Sequence, residues 1–116
     1  MPGAAKLLSA YKLKSVATKL GLSYAATGKE EYEISRNHKY SYKYELKLTS
    51  KSGNVEHSAA SVKSAFVAAV KNDKVVNSEY GNPYHCHLTV TSVTKSGNGF
   101  RVKISGHSER IYNAHE

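Results

Sequence analysis

Residues 84–105 read YHCHLTVTSVTKSGNGFRVKIS, and this stretch decides the fold because its side chains alternate in polarity on both sides of a Ser-Gly-Asn-Gly turn. The even positions up to Val90 and from Phe100 onward are apolar, whereas the odd positions, such as His87 and Lys103, are polar or basic. Successive side chains of a strand point to opposite faces of a sheet. The stretch therefore predicts a β-hairpin with one core face and one exposed face.

Composition restricts the class of protein and its partners. The chain has 116 residues, which suits one domain, and its net charge of +8 favours anionic partners, nucleic acid first. One cysteine allows no disulfide framework within the chain. The longest apolar run, residues 65–70, is too short to cross a bilayer, and the amino terminus lacks a secretory signal pattern. We expect a single, soluble, cytoplasmic domain with no membrane partner and no cofactor.

Periodicity and turn residues predict the other elements of the chain. Leu13, Val16, Ala17 and Leu20 recur at helical spacing, and Gly21 follows them where a left-handed helix end is expected. In chain order the predicted elements are a helix over 2–20, an irregular connection over 22–37, a strand over 38–50, a return strand over 55–57, a helix from Ser58 or Ser61 to about 72, an extended piece at 75–76, the hairpin at 84–105 and a tail over 108–116.

These elements follow the order α–ββ–α–ββ. Two hairpins joined through a helix predict an α+β two-layer sandwich, in which a four-stranded or five-stranded antiparallel sheet carries two helices on one face. Antiparallel sheets can leave their other face in solvent. The tyrosines at 40, 42 and 44 share the parity of Leu46 and Leu48, so we expect them to pack under the helices.

The loop of the second hairpin predicts its register. If Thr94 pairs with Phe100, residues whose numbers sum to 194 lie opposite each other. Val90 then faces Ile104 on the core side, and His87 faces His107 on the open side. The same register places Thr91 opposite Lys103 and His85 opposite Glu109.

Basic and hydroxyl side chains on one sheet face are typical of a surface that binds phosphates and bases. This pattern favours binding of RNA or single-stranded DNA over duplex DNA, although a lysine-rich face also serves solubility and edge protection. The predicted nucleic-acid-binding residues are Lys39, Ser41, Lys43, Lys47, His85, His87, Thr89, Thr91, Arg101, Lys103 and His107.

Three other interpretations remain open. In a small metal-independent ribonuclease, His87 and His107 supply the acid and the base, and Lys103 or Arg101 the cation. His85, His87 and His107 together resemble a three-histidine zinc set, but we predict no metal. In an adaptor or inhibitor, such as one encoded by a virus, the basic face docks on an acidic protein surface. A homodimer through an exposed sheet edge is compatible with each of these.

Overall fold

The structure is a computed structural model, and it describes residues 2–32 and 38–112, without the side chains of 29–32. Its elements are α1 (Ala4–Ala10), α2 (Leu13–Lys19), β1 (Leu22–Tyr32), β2 (Lys39–Ser50), α3 (Ala59–Ala69), β3 (Lys74–Asn77), β4 (Pro83–Ser96) and β5 (Gly99–Arg110). The strands form one curled antiparallel sheet in the order β1-β2-β5-β4-β3. The predicted α+β class with an antiparallel sheet is confirmed.

The amino-terminal helix is broken where the sequence predicts one continuous helix over 2–20. Lys12 adopts a left-handed backbone with a φ of 56°, which separates α1 from α2. The break lets each short helix bury its own residues, Leu7 and Leu8 in α1 and Leu13 in α2. Gly21 has a φ of 73°, so the predicted left-handed residue at the helix end is confirmed.

The first hairpin is formed by different strands from those predicted. Residues 22–32 are not an irregular connection but strand β1, which pairs with β2 from Leu22 opposite Ser50 to Tyr32 opposite Tyr40. Residues 55–57 form no strand, so the predicted return strand is wrong. The prediction for 33–37 lies outside the described residues.

Helix α3 forms where the sequence places it. The Ser58 side chain accepts a hydrogen bond from the Ser61 backbone N–H, and the Ser61 hydroxyl reaches back to the Ser58 backbone, which makes a capping box. Val62 and Phe66 are fully buried and Val70 nearly so. Ser58, one of the two predicted caps, is therefore confirmed as the N-cap, although the helix ends at Ala69 rather than near residue 72.

The second hairpin follows the predicted register as far as Val90 opposite Ile104, and His87 indeed faces His107. A β-bulge between Val90 and Ser92 then shifts the pairing, so Ser92 rather than Thr91 lies opposite Lys103. The predicted pairing of Thr94 with Phe100 is wrong for the same reason.

The strands of this hairpin are also longer than predicted. Ser96 pairs with Gly99, so the loop is shorter than the predicted one over 95–99. At the other end, β5 runs to Arg110, so residues 108–110 are strand rather than tail. Residues 113–116 of the predicted tail lie outside the described part of the chain.

The core lies between the helices and one face of the sheet. The three helices contribute to the same buried cluster as the even-numbered side chains of β2, β4 and β5. Tyr42 and Tyr44 are buried and Tyr40 is partly buried, which confirms the predicted packing of the tyrosine row. Among the described residues, no helix is long and apolar enough to cross a membrane.

Candidate nucleic-acid interface

The eleven side chains predicted to bind nucleic acid lie on the odd-numbered, outer face of the central strands. All of them are exposed except His87, which is half-buried. Pairing arranges them in rows across the sheet: Lys47 lies opposite Arg101, Lys43 opposite Ser105, and Ser41 opposite His107. We call this surface the exposed face. It brings the predicted residues together on one side of the molecule.

Four basic side chains form what we call the cationic segment, near the turn end of β5. Its members are Lys43, Lys47, Arg101 and Lys103. Glu45 lies opposite Lys103 within this segment, and its Oε1 is 3.7 Å from Nη1 of Arg101. Both side chains of this ion pair are about half exposed, so solvent weakens their attraction. The carboxylate nevertheless competes with any phosphate for the guanidinium.

The exposed face has a concavity beside the cationic segment, which we call the hollow. A concavity of about 470 Å³ crosses strands β1, β2, β4 and β5. Its lining includes Lys43 and Lys103 together with the hydroxyl side chains of Thr91 and Ser105. The hollow also involves Thr27 and Gly28 of β1, which sequence reasoning missed because it did not recognise that strand.

A second ion pair lies at the other end of the face. Lys39 is opposite Glu109 in the register, and its Nζ lies 3.8 Å from Oε1 of that glutamate. The described charged side chains of the face are Lys39, Lys43, Lys47, Arg101 and Lys103 on the basic side and Glu45, Asp73 and Glu109 on the acidic side. The face is therefore less positive than its basic residues alone indicate.

An aspartate that the sequence reasoning did not select holds two of the histidines. Asp73 immediately precedes β3, and the β3–β4 register continued by one residue brings it beside His87. Its Oδ1 is 2.5 Å from Nδ1 of His87, and its Oδ2 is 3.0 Å from Nε2 of His85. The only sequence signal was the short extended piece at 75–76, which had no assigned partner strand.

The contact with Asp73 fixes which ring nitrogen of His87 carries a proton. A carboxylate only accepts hydrogen bonds, so Nδ1 of His87 carries the proton that it donates to Asp73. The hydrogen bond from His87, aided by attraction to the imidazoles of His87, His85 and His107, lowers the pKa of Asp73 below its ordinary value. Nε2 of His87 lies 3.1 Å from the hydroxyl of Thr89.

The predicted acid–base pair is brought together, but its predicted cation is not. The rings of His87 and His107 lie 5.1 Å apart between centroids, at an angle of 36°. Lys103 is four residues from His107 on β5, roughly 13 Å along the strand. The nearer cations are Lys39 and Lys43, which flank Ser41, the residue opposite His107.

Comparison with known proteins identifies no relative. No protein-family model, no curated protein and no solved structure matches the chain. Within residues 2–32 and 38–112, no group of three or more His, Cys, Asp or Glu side chains is arranged to hold a metal ion. The side chains of the exposed face are therefore the basis on which a function is proposed.

Proposed function

We propose that the protein is a small nucleic-acid-binding domain that uses its exposed face to hold RNA or single-stranded DNA. The observation that carries this proposal is the cationic segment, whose four basic side chains lie on the paired strands β2 and β5 beside the hollow. Phosphates bind such cations, and each neutralised phosphate adds a salt-dependent increment to the affinity. The hydroxyl group of Ser105 adds a hydrogen-bond donor to the same place, while the Thr91 hydroxyl donates to the Lys103 carbonyl and can accept a hydrogen bond.

Single-stranded nucleic acid suits this surface better than duplex DNA. The described part of the face is built from strands and contains no helix that could enter a major groove. The exposed ring of His85 and the half-buried ring of His87 offer surfaces on which unpaired bases can stack. The proposal includes the two-layer arrangement, with the helices on one face only, because the other face must stay open to the nucleic acid.

Location and assembly are separate parts of the proposal. A reducing, cytoplasmic setting agrees with Cys86, which is a free and buried thiol. Homodimer formation through an edge strand is a further expectation, since β1 and β3 lie at the two edges of the sheet. Sedimentation velocity measures the oligomeric state, and a monomer at all concentrations would exclude the dimer.

The test is a binding titration by fluorescence anisotropy with mixed-sequence RNA, single-stranded DNA and duplex DNA. We compare the wild type with the variant in which Lys43, Lys47 and Lys103 are all replaced by glutamate. The matched control carries the same charge change at exposed positions outside the face, Lys14→Glu, Lys19→Glu and Lys63→Glu.

Salt dependence gives the expected size of the effect. For single strands, the slope of log affinity against log salt is about 0.7 per neutralised phosphate, so loss of three contacts should reduce the slope by about 2. The control should keep most of the wild-type slope. Undetectable binding at about 50 mM salt, or equal losses in the two triple variants, would contradict the proposal.

A further inference from the structure

Three neighbouring side chains of the exposed face are of the types that general acid–base catalysis uses: Asp73, His87 and His107. We call them the histidine row. Asp73 accepts the Nδ1 proton of His87, which holds that ring in one tautomer. Nε2 of His87 is therefore the nitrogen that can take a proton from another group. Proteins activate a hydroxyl by hydrogen bonding it to an imidazole, which is itself hydrogen-bonded to a carboxylate.

The hydroxyl of Thr89 lies beside Nε2 of His87, where the hydroxyl of a substrate would have to bind. The Thr89 Oγ1 lies 3.1 Å from Nε2 of His87, within hydrogen-bond distance. Thr89 is exposed, so a hydroxyl from outside the protein can replace it at this nitrogen. The ribose 2′-hydroxyl of a bound RNA is such a group, and DNA lacks it.

The second imidazole lies beside the first. His107 is exposed, and its ring centroid is 5.1 Å from that of His87. Ser41 of β2 lies opposite His107. On either side of it, Lys39 and Lys43 supply positive charge at the two diagonal positions from His107. A phosphate placed over the row thus meets a base, an acid and nearby cations.

We propose that the histidine row cleaves RNA held on the exposed face. Nε2 of His87 takes the proton of a 2′-hydroxyl, and the 2′-oxygen forms a bond to the adjacent phosphorus. The bond from phosphorus to the 5′-oxygen breaks, and protonated His107 gives its proton to that oxygen. The products are a 2′,3′-cyclic phosphate and a 5′-hydroxyl, and solvent then restores the two imidazoles.

This inference rests on the proposed function, because the RNA must first be held on the face. Within it, His87 and His107 are the catalytic residues, and Asp73 is a positioning residue that acts through His87. General acid–base catalysis contributes roughly 10²–10⁴-fold, so loss of either imidazole should reduce the cleavage rate at least a hundredfold.

The experiment uses the purified full chain with end-labelled RNA in excess chelator. It compares the wild type with His87→Ala, His107→Ala and the conservative His87→Gln and His107→Gln. The matched control is His57→Ala, since His57 lies off the face and bonds the Leu20 carbonyl. A substrate with a single 2′-deoxyribose shows whether cleavage needs the 2′-hydroxyl at the scissile bond.

We expect the wild type and His57→Ala to leave 2′,3′-cyclic phosphate ends and to spare the bond that follows the deoxyribose. Each variant at 87 or 107 should cleave RNA at least a hundredfold more slowly than the wild type when the RNA is at a saturating concentration. Asp73→Asn should lower kcat with little change in KM, whereas a side chain that only anchored β3 would leave the kcat of the folded fraction unchanged.

The failures of the two proposals are distinguishable. Intact RNA in the presence of measurable binding would overturn the cleavage proposal and leave the binding proposal standing. Absence of binding would remove both. Equal cleavage by the wild type and the variants at 87 and 107, or cleavage at the deoxyribose, would also overturn it, because the activity would then come from other residues or from a contaminant.

Discussion

In the proposed function, Glu45 and Glu109 compete with nucleic acid for Arg101 and Lys39, so their removal should strengthen RNA binding. Each lies 3.7–3.8 Å from a cation, Arg101 or Lys39. Unit charges about 4 Å apart attract by about 1 kcal/mol in water, and exposed pairs contribute about 0–1 kcal/mol. Since 1.4 kcal/mol corresponds to a factor of ten, each Glu→Gln change should tighten binding by at most about fivefold.

The two ion pairs lie at opposite ends of the face, so we expect the effects of Glu45→Gln and Glu109→Gln to be additive. The double variant should also steepen the salt slope, by about 0.7 for each phosphate that Arg101 or Lys39 then contacts. Fluorescence anisotropy at about 50 and 200 mM salt measures both quantities. Glu56→Gln, at an exposed position in the loop before α3, is the control for net charge.

Equal tightening by Glu56→Gln and by the Glu45 and Glu109 changes would refute the reasoning, because the effect would then come from total charge rather than from the competing ion pairs. Unchanged affinity and slope in the double variant would refute it as well. The unfolding free energy should change by less than about 1 kcal/mol, since both pairs are half exposed. A larger loss would mean that the glutamates act mainly on folding.

Three predictions concern stability and its dependence on pH. Phe66 is fully buried, so Phe66→Ala should lower the unfolding free energy by about 3–5 kcal/mol in urea titrations, and a loss below about 1 kcal/mol would contradict the packing described. An added Cβ at Gly99 would lie 1.7 Å from the Leu48 carbonyl oxygen, whereas at Gly97 nothing lies within 4 Å and the left-handed φ of 55° costs alanine only about 1–2 kcal/mol, so Gly99→Ala should destabilise the chain more than Gly97→Ala; thermal unfolding ranks the two, and the reverse order would contradict the β2–β5 register. The pKa of Asp73 is lowered in the fold from 3.8, so its carboxylate contributes stability that is present above that value and is lost as the pH falls through the lower folded-state pKa. Asp73→Asn should therefore be less stable than the wild type at about pH 5 and should converge with it in more acidic solution, and a difference independent of pH would contradict the ion pairs with His85 and His87.

The second hairpin was predictable because one face of it is buried. A slip of one residue would move its apolar set into water, so the alternation fixes the register up to Val90. Beyond that point Thr91 and Ser92 are both polar, and the next apolar side chain is the half-buried Val93, an odd-numbered residue opposite Val102. This change of parity signals the bulge, but alternation alone does not say which residue is the extra one.

The first hairpin was not predictable from its turn. Residues 52–54 have turn chemistry, which predicts that they join residues 38–50 to a strand downstream of them. A turn sequence indicates a change of direction but not which segment pairs with the preceding strand. The true partner is β1, an edge strand whose residues Ala25 to Gly28 are exposed, so it lacks the buried alternation that identifies a strand in a sequence.

The candidate site was predictable only where one strand or one hairpin determines it. Facing positions for His87 and His107 follow from the register of a single hairpin. Asp73 comes from the start of β3, and its place beside His87 depends on the pairing of β3 with β4, which no local pattern in residues 73–77 specifies. Sites assembled from separate elements in this way require the tertiary fold.

The separation of Arg101 from the histidine row along β5 allows the proposed binding and the proposed cleavage to be tested separately on one surface. His107 and Arg101 are six residues apart on β5, which corresponds to roughly 20 Å. That distance exceeds the Debye length of about 10 Å at 0.1 M salt, so solvent ions largely screen the charge of Arg101 from His107, whereas Lys43 lies on a diagonal from His107 and is close to it. Arg101 and His107 both lie on β5 and point to the same face, so an RNA strand that follows β5 would meet a cation at one end and an imidazole at the other. In the two proposals, the cationic segment sets how tightly RNA is held, and the histidine row sets whether a held strand is cut.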